Sequence, residues 1–270
     1  MSNESTVLEV LLTNAVKLPG VKVNRKEFLA KSFTKYVSPD ELSEIIEKGP
    51  VDANIDKKIL NKVAKKVIAD RTMKSSSISF VSGIPGGLAM AATIPADTAQ
   101  FFAMVLLLSQ ELGYIFGYED FWDGEELNAE KVSGDLILFL GVMFGVGGAT
   151  ATIKALSSQL SKQALKKIPN KALMNTIYYP IIKKTLGFIG IKVTKGSFAK
   201  GVSKAIPVAG GFVSGGLTYA SMTKMGNRLA KALEENIDLT PEEIIRSFEE
   251  LKKNNPEIID VEFEEIVEGM

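Results

Sequence analysis

The chain has 270 residues, 46% of them apolar, with 32 Lys and Arg against 32 Asp and Glu, no histidine and no cysteine. That length buries a sizeable core in one or two domains. Without His or Cys, there is no Ser-His-Asp or Cys-His nucleophile pair, no thiolate chemistry and no His/Cys zinc site, so only carboxylate- or Lys-based chemistry survives.

The first residues, Met1 to Lys17, have no basic segment ahead of their apolar ones, so no signal peptide is evident and a cytoplasmic location is the default expectation. Leu18-Pro19-Gly20 breaks a short apolar stretch. From Asn24, the spacing of Phe28, Leu29, Phe33 and Tyr36 predicts a helix. Ser38-Pro39-Asp40-Glu41 is a capping box with proline in the first turn, predicting a short helix to about Lys48. Gly49-Pro50 punctuates, and Ile55, Ile59, Leu60, Val63, Val67 and Ile68 then form the apolar stripe of a charged helix.

After Lys74 the chemistry changes, because Ser75 to Ala96 carries no charge. Ile84-Pro85-Gly86-Gly87 lies in this stretch and is echoed later by Ile206-Pro207-Val208-Ala209-Gly210-Gly211. Proline suits a helix start and glycine permits close approach of another backbone, so each element predicts the mouth of a tightly packed helix. Asp97 opens a segment to Gly117 whose middle, Phe101 to Leu108, is apolar on all sides; such a helix is either central or in lipid. An acidic loop, Glu119 to Glu126, follows with the sole tryptophan, Trp122.

Leu136 to Ile153 is the nearest approach to a transmembrane span, eighteen uncharged residues of which nine are Leu, Ile, Val or Phe. Those nine favour insertion by about 4 kcal/mol together, which four glycines and two threonines erode. Pairing this stretch with residues 98 to 117 gives an integral hairpin as an alternative reading. Glu111 opposes it by about 2–3 kcal/mol if it faces lipid. Four glycine pairs, Gly83/Gly87, Gly113/Gly117, Gly141/Gly145 and Gly211/Gly215, are spaced four apart, a spacing that allows close helix contact wherever both members lie in one helix.

Lys154 to Lys204 carries eleven lysines and no acid, leaving 21 basic against 32 acidic residues elsewhere. Three readings compete for this block. It is a solvated helical face, or a surface for anionic lipid with Lys166, Lys167, Lys171, Lys183 and Lys184 as candidates, at about 1 kcal/mol per lysine. Nucleic acid is disfavoured: the block has no arginine fork, and Tyr178, Tyr179 and Phe188 are not interleaved as stacking platforms. Ala205 to Thr223 is the last uncharged stretch. Thr240-Pro241-Glu242-Glu243 is a second capping box, leading a helix to about Lys253. Glu234 to Glu268 holds thirteen carboxylates, and the acidic tail after Pro256 offers a surface to a protein partner.

No alternation supports a sheet, so the expected fold is all-α: a compact multi-helix bundle with central uncharged, glycine-rich helices surrounded by amphipathic ones. Its expected parts within one domain are amphipathic helices over 1–74, a glycine-rich core over 75–236 that includes the basic block 154–204, and a capped helix with acidic tail over 237–270. Gly145-Val146-Gly147-Gly148 lacks the Lys-Ser/Thr ending of a phosphate loop and has no preceding strand, and neither cofactor nor metal site is expected. Asp97 and Gln100 lie one turn apart on one helix face. A carboxylate site centred on Asp97 competes with a simpler role, in which a first-turn acid complements free backbone N–H groups and the helix dipole.

Ser82-Gly83-Ile84-Pro85-Gly86-Gly87, Thr93-Ile94-Pro95-Ala96-Asp97 with Gln100, and Gly113-Tyr114-Ile115-Phe116-Gly117-Tyr118 resemble the core of the EcsC protein family. Ala205 to Gly211, with Gly215-Gly216, Tyr219, Gly226 and Ala230, resembles that family's C-terminal half. The chain is also similar to a helical domain attached to some bacterial GTPases. The motif residues are Gly83, Pro85, Gly86, Gly87, Pro95, Asp97, Gln100, Gly117, Pro207, Gly210 and Gly211, within a likeness covering roughly residues 15 to 235. It implies a bacterial, mostly helical, membrane-associated protein linked to an ABC-transporter or secretion system, with no catalytic residues attached. The expected function is therefore a non-enzymatic module, peripheral at the inner face of the cell membrane.

Overall fold

The computed structural model describes residues 20–74, 96–123, 126–127, 131–157, 184–185 and 215–254. These form helices α1 (Arg25–Phe33), α2 (Pro39–Lys48), α3 (Lys57–Lys74), α4 (Ala96–Ile115), α5 (Lys131–Phe144), α6 (Ala149–Ser157), α7 (Gly215–Glu235) and α8 (Pro241–Asn254). The fold is all-α. Its sole extended element among the described residues is a two-residue antiparallel ladder, β1 (Trp122–Asp123) with β2 (Glu126–Leu127), inside the acidic loop.

Both capping boxes form. Ser38 N–H donates to Glu41 Oε2 at 2.8 Å and Glu41 N–H returns to Ser38 Oγ at 3.3 Å; Thr240 and Glu243 repeat the exchange at 2.9 and 3.3 Å. The backbone and hydroxyl bonds to Glu41, and those to Glu243, hold each carboxyl below its ordinary pKa. A carboxyl depressed in the folded state adds stability above its unfolded pKa and loses it as pH falls through the folded value. Thermal melts are therefore expected to lose less between pH 7 and pH 3 in the Glu41→Gln, Glu243→Gln double variant than in the parent; equal losses would refute this.

Helix α4 is the centre of the molecule. Every residue from 103 to 116 is buried, including Met104, Leu106, Leu108, Leu112 and Tyr114. It packs against α1, α3, α5 and α7. An all-round apolar helix is thus satisfied by protein contacts along this part, each fully buried Leu or Met contributing about 1.5–3 kcal/mol. Helix α7 runs without interruption past the end of the uncharged stretch and closes on α3 and α4 at Gly226, where a Cβ would lie 3.0 Å from Ile68 and 3.1 Å from Leu108.

The stretch 136–153 is not the single helix expected from its lack of charge. It is split between α5 and α6 by a turn in which Gly145 and Gly148 take φ of +75° and +92°. Among the described residues, no helix is long and apolar enough to cross a membrane.

The glycine spacing also has a different cause from the expected contact stripe. At the end of α4, Tyr118 N–H donates to Gly113 O at 2.9 Å and Gly117 N–H to Tyr114 O at 3.4 Å. At the end of α5, Val146 N–H donates to Gly141 O at 2.8 Å and Gly145 N–H to Val142 O at 3.0 Å. Both are Schellman terminations, with the second glycine left-handed just beyond the helix. Their four-residue interval is the distance from the accepting carbonyl to the left-handed residue. The first glycines do pack closely: a Cβ on Gly113 would meet Phe121 and Phe139 at 3.0 Å, and one on Gly141 would meet Ala149 at 2.9 Å. Gly83/Gly87 and Gly211 lie outside the described residues.

Candidate functional site

Four polar side chains interrupt the buried part of the central helix, and two of them, Gln110 and Glu111, take partners from distant parts of the chain. Gln110, fully buried, donates from Nε2 to Val21 O at 2.9 Å and Leu106 O at 3.0 Å. Its Oε1 accepts from Trp122 Nε1 at 2.8 Å and Val23 N at 3.4 Å. One amide therefore ties the segment before α1 and the acidic loop to α4. One turn on, the Tyr114 hydroxyl donates to Asp120 Oδ1 at 2.9 Å and accepts from Phe121 N at 3.4 Å. Burial, and then the Asp120 charge, push the phenol well above its usual pKa, so Tyr114 stays protonated.

Ser109 turns inward and donates to Leu106 O at 2.8 Å. Glu111, 2% exposed at its side chain, faces α3 and receives the Arg71 guanidinium in a fork, Nε to Oε2 at 2.7 Å and Nη2 to Oε1. Burial opposes the Arg71 charge, but the hydrogen bond to Glu111 and its Coulomb field outweigh this and raise the Arg71 pKa. Glu111 thus faces a cation within the protein, which answers the objection its charge raises to an apolar helix. Sequence reading identified neither the Gln110 and Tyr114 clamps nor the Arg71 partner. Polar residues at 109, 110, 111 and 114 in an otherwise apolar helix were the available signal.

Two arginines finish the two Schellman turns. Arg25 Nε donates to Tyr118 O at 3.2 Å beyond α4, and Arg228 Nη1 donates to Met143 O at 2.7 Å at the end of α5. A cation at a helix C-terminus satisfies orphan carbonyls and complements the dipole. Gly145 permits the second contact, since a Cβ there would stand 2.9 Å from Arg228 Nη1.

Of the residues singled out in the sequence, Gly117 is the left-handed residue behind α4, where a Cβ would meet Val51 at 2.9 Å. Asp97 and Gln100 lie within the first five described residues of α4. Lys184 is exposed, beside fully buried Thr185. Gly83, Pro85, Gly86, Gly87, Pro95, Pro207, Gly210, Gly211, Lys166, Lys167, Lys171 and Lys183 lie outside the described residues, as does the tail after Pro256. Among the described residues, no group of three or more acidic side chains is placed to hold a metal.

Three acidic side chains at and just beyond the end of α7 are engaged within the molecule. Glu235 pairs with Lys154 at 2.6 Å, Asp238 pairs with Lys57, and Glu234 accepts from Asn61. Lys154, first lysine of the basic block, is therefore neutralised within the molecule, while Lys184 has no carboxylate partner among the described residues. No family model, curated protein or solved structure matches the chain.

Proposed function

We propose that the protein is a non-enzymatic, EcsC-like helical module, peripheral at the anionic inner face of the cell membrane and held there by Lys166, Lys167, Lys171, Lys183 and Lys184. One observation carries this reading: a block with eleven lysines and no acid, of whose described members Lys154 pairs with Glu235 and Lys184 is exposed with no carboxylate partner among the described residues. Exposed lysines attract anionic headgroups, each lysine near the surface adding about 1 kcal/mol. The same reading leaves the acidic tail free for a protein partner, in keeping with a role beside a transporter or secretion system.

Liposome flotation tests it. The protein is expected to float with vesicles containing phosphatidylserine at low salt, to be released at high salt, and to lose binding when Lys166, Lys167, Lys183 and Lys184 are changed to Glu. Binding indifferent to lipid charge and salt would overturn the proposal.

A further inference from the structure

We propose that the solvent face of α3 is a second contact surface for an anionic bilayer, with Lys58, Lys62 and Lys65 meeting the headgroups and Met73 entering among them. The inference rests on the membrane reading, but it assigns the contact to residues outside the lysine block and adds an apolar anchor to it.

Helix α3 has two sides of different chemistry. Leu60, Val63, Ala64 and Ile68 are buried, and the helix packs on α4 and α7. Lys58, Lys62, Lys65 and Lys66 are exposed, and the helical repeat places these four together with Met73 within about 100° of arc, away from the buried side. The acids at the two ends of this stripe are engaged: Asp56 Oδ1 accepts from Lys58 N–H at 2.7 Å, and Asp70 pairs with Lys66 at 3.4 Å. Lys58, Lys62 and Lys65 have no carboxylate partner among the described residues. Lys62 Nζ instead lies 5.2 Å from the centre of the Tyr36 ring, which holds the ammonium at the surface with its charge uncompensated.

Solvation alone accounts for a lysine-rich helix face, but it does not account for Met73. Met73 is 63% exposed, the one large apolar side chain so placed among the described residues, and it stands in register with the lysines. Lysines occupy the first part of the stripe, and Ala69 and Met73 its end, next to the uncharged sequence from Ser75 to Ala96. An unbranched thioether adapts to irregular apolar surroundings, while lysines beside it keep their ammonium groups at headgroup level. Nucleic acid fits this face less well. The helix has one arginine, Arg71, and it is spent on Glu111, so the stripe offers no guanidinium fork.

The chain has no cysteine, so Met73→Cys carries a single environment-sensitive fluorophore. In the full chain its emission is expected to move to shorter wavelength with vesicles containing phosphatidylserine and to stay unchanged with phosphatidylcholine alone. The same label at Glu47→Cys, on the exposed side of α2, is expected not to respond. Lys58→Gln, Lys62→Gln and Lys65→Gln together are expected to weaken vesicle binding about a hundredfold, or about fivefold per lysine. These positions are exposed, so the triple variant is expected to melt like the parent; if it does not, the label at position 73 decides alone.

A label at 73 that stays in water while the protein is vesicle-bound, or a folded triple variant that binds as the parent does, would overturn the α3 face and leave the lysine block as the contact. Loss of binding in the triple variant, with none when Lys166, Lys167, Lys183 and Lys184 are changed to Glu, would support the α3 face and overturn the role of the block. No binding of the parent to anionic vesicles at low salt would overturn both. Duplex DNA bound by the parent and lost by the triple variant, with no vesicle response at 73, would put nucleic acid in place of the bilayer and overturn the proposal.

Discussion

Arg71→Leu is expected to destabilise the protein by about 3–5 kcal/mol, because it leaves the Glu111 carboxylate inside the core without its forked cation. Glu111 sits in the part of α4 surrounded by α3, α5 and α7, where water cannot replace the guanidinium. The pair itself is not a large net source of stability, since desolvation of both charges offsets their attraction. The double variant Arg71→Leu, Glu111→Leu is therefore expected to recover most of the loss. Urea unfolding of both variants checks this. A loss below about 1 kcal/mol for Arg71→Leu would mean the pair is screened like a surface bridge, and the central position of α4 would be wrong.

Gly117→Ala carries the second large effect, expected at about 2–5 kcal/mol. The left-handed φ of +90° costs a side-chain-bearing residue about 1–2 kcal/mol, and a Cβ at 2.9 Å from Val51 adds an overpacking cost of about 1–3 kcal/mol. The two parts separate in a double-mutant cycle with Val51→Ala, which relieves the clash and leaves the dihedral cost. Had Gly117 stood inside a helix with room beside it, alanine would instead add about 1 kcal/mol of helix propensity. A neutral or stabilising Gly117→Ala would contradict the Schellman termination.

These two positions show what local chemistry reveals and what it hides. Ser38 with Glu41 and Thr240 with Glu243 were legible because a capping box is complete within four residues. Helix α4 was legible because its apolar residues cover every face, although the pattern alone does not distinguish protein from lipid around it. The four-residue glycine spacing was ambiguous, since a contact stripe and a Schellman turn place glycines at the same interval. Lack of charge joined 136–153 into one expected helix, where Gly145 and Gly148 instead turn the chain.

The clamps on α4 were hidden for a different reason. Gln110 meets Val21 and Val23, and Arg25 reaches Tyr118, across 87 to 93 residues of sequence. No local period encodes such partners. The lysine block, by contrast, is plain in the sequence as composition, and Lys184 is its exposed described member.

Alkaline extraction of a membrane fraction from cells making the full chain tests the central claim most directly. On the proposed reading, in which the central apolar helix is covered by protein and the hold on the bilayer is electrostatic, the protein is predicted to leave the membrane at high pH and also at high salt. Retention in the membrane pellet after alkaline treatment would contradict the account and would require the uncharged helices to be embedded in lipid.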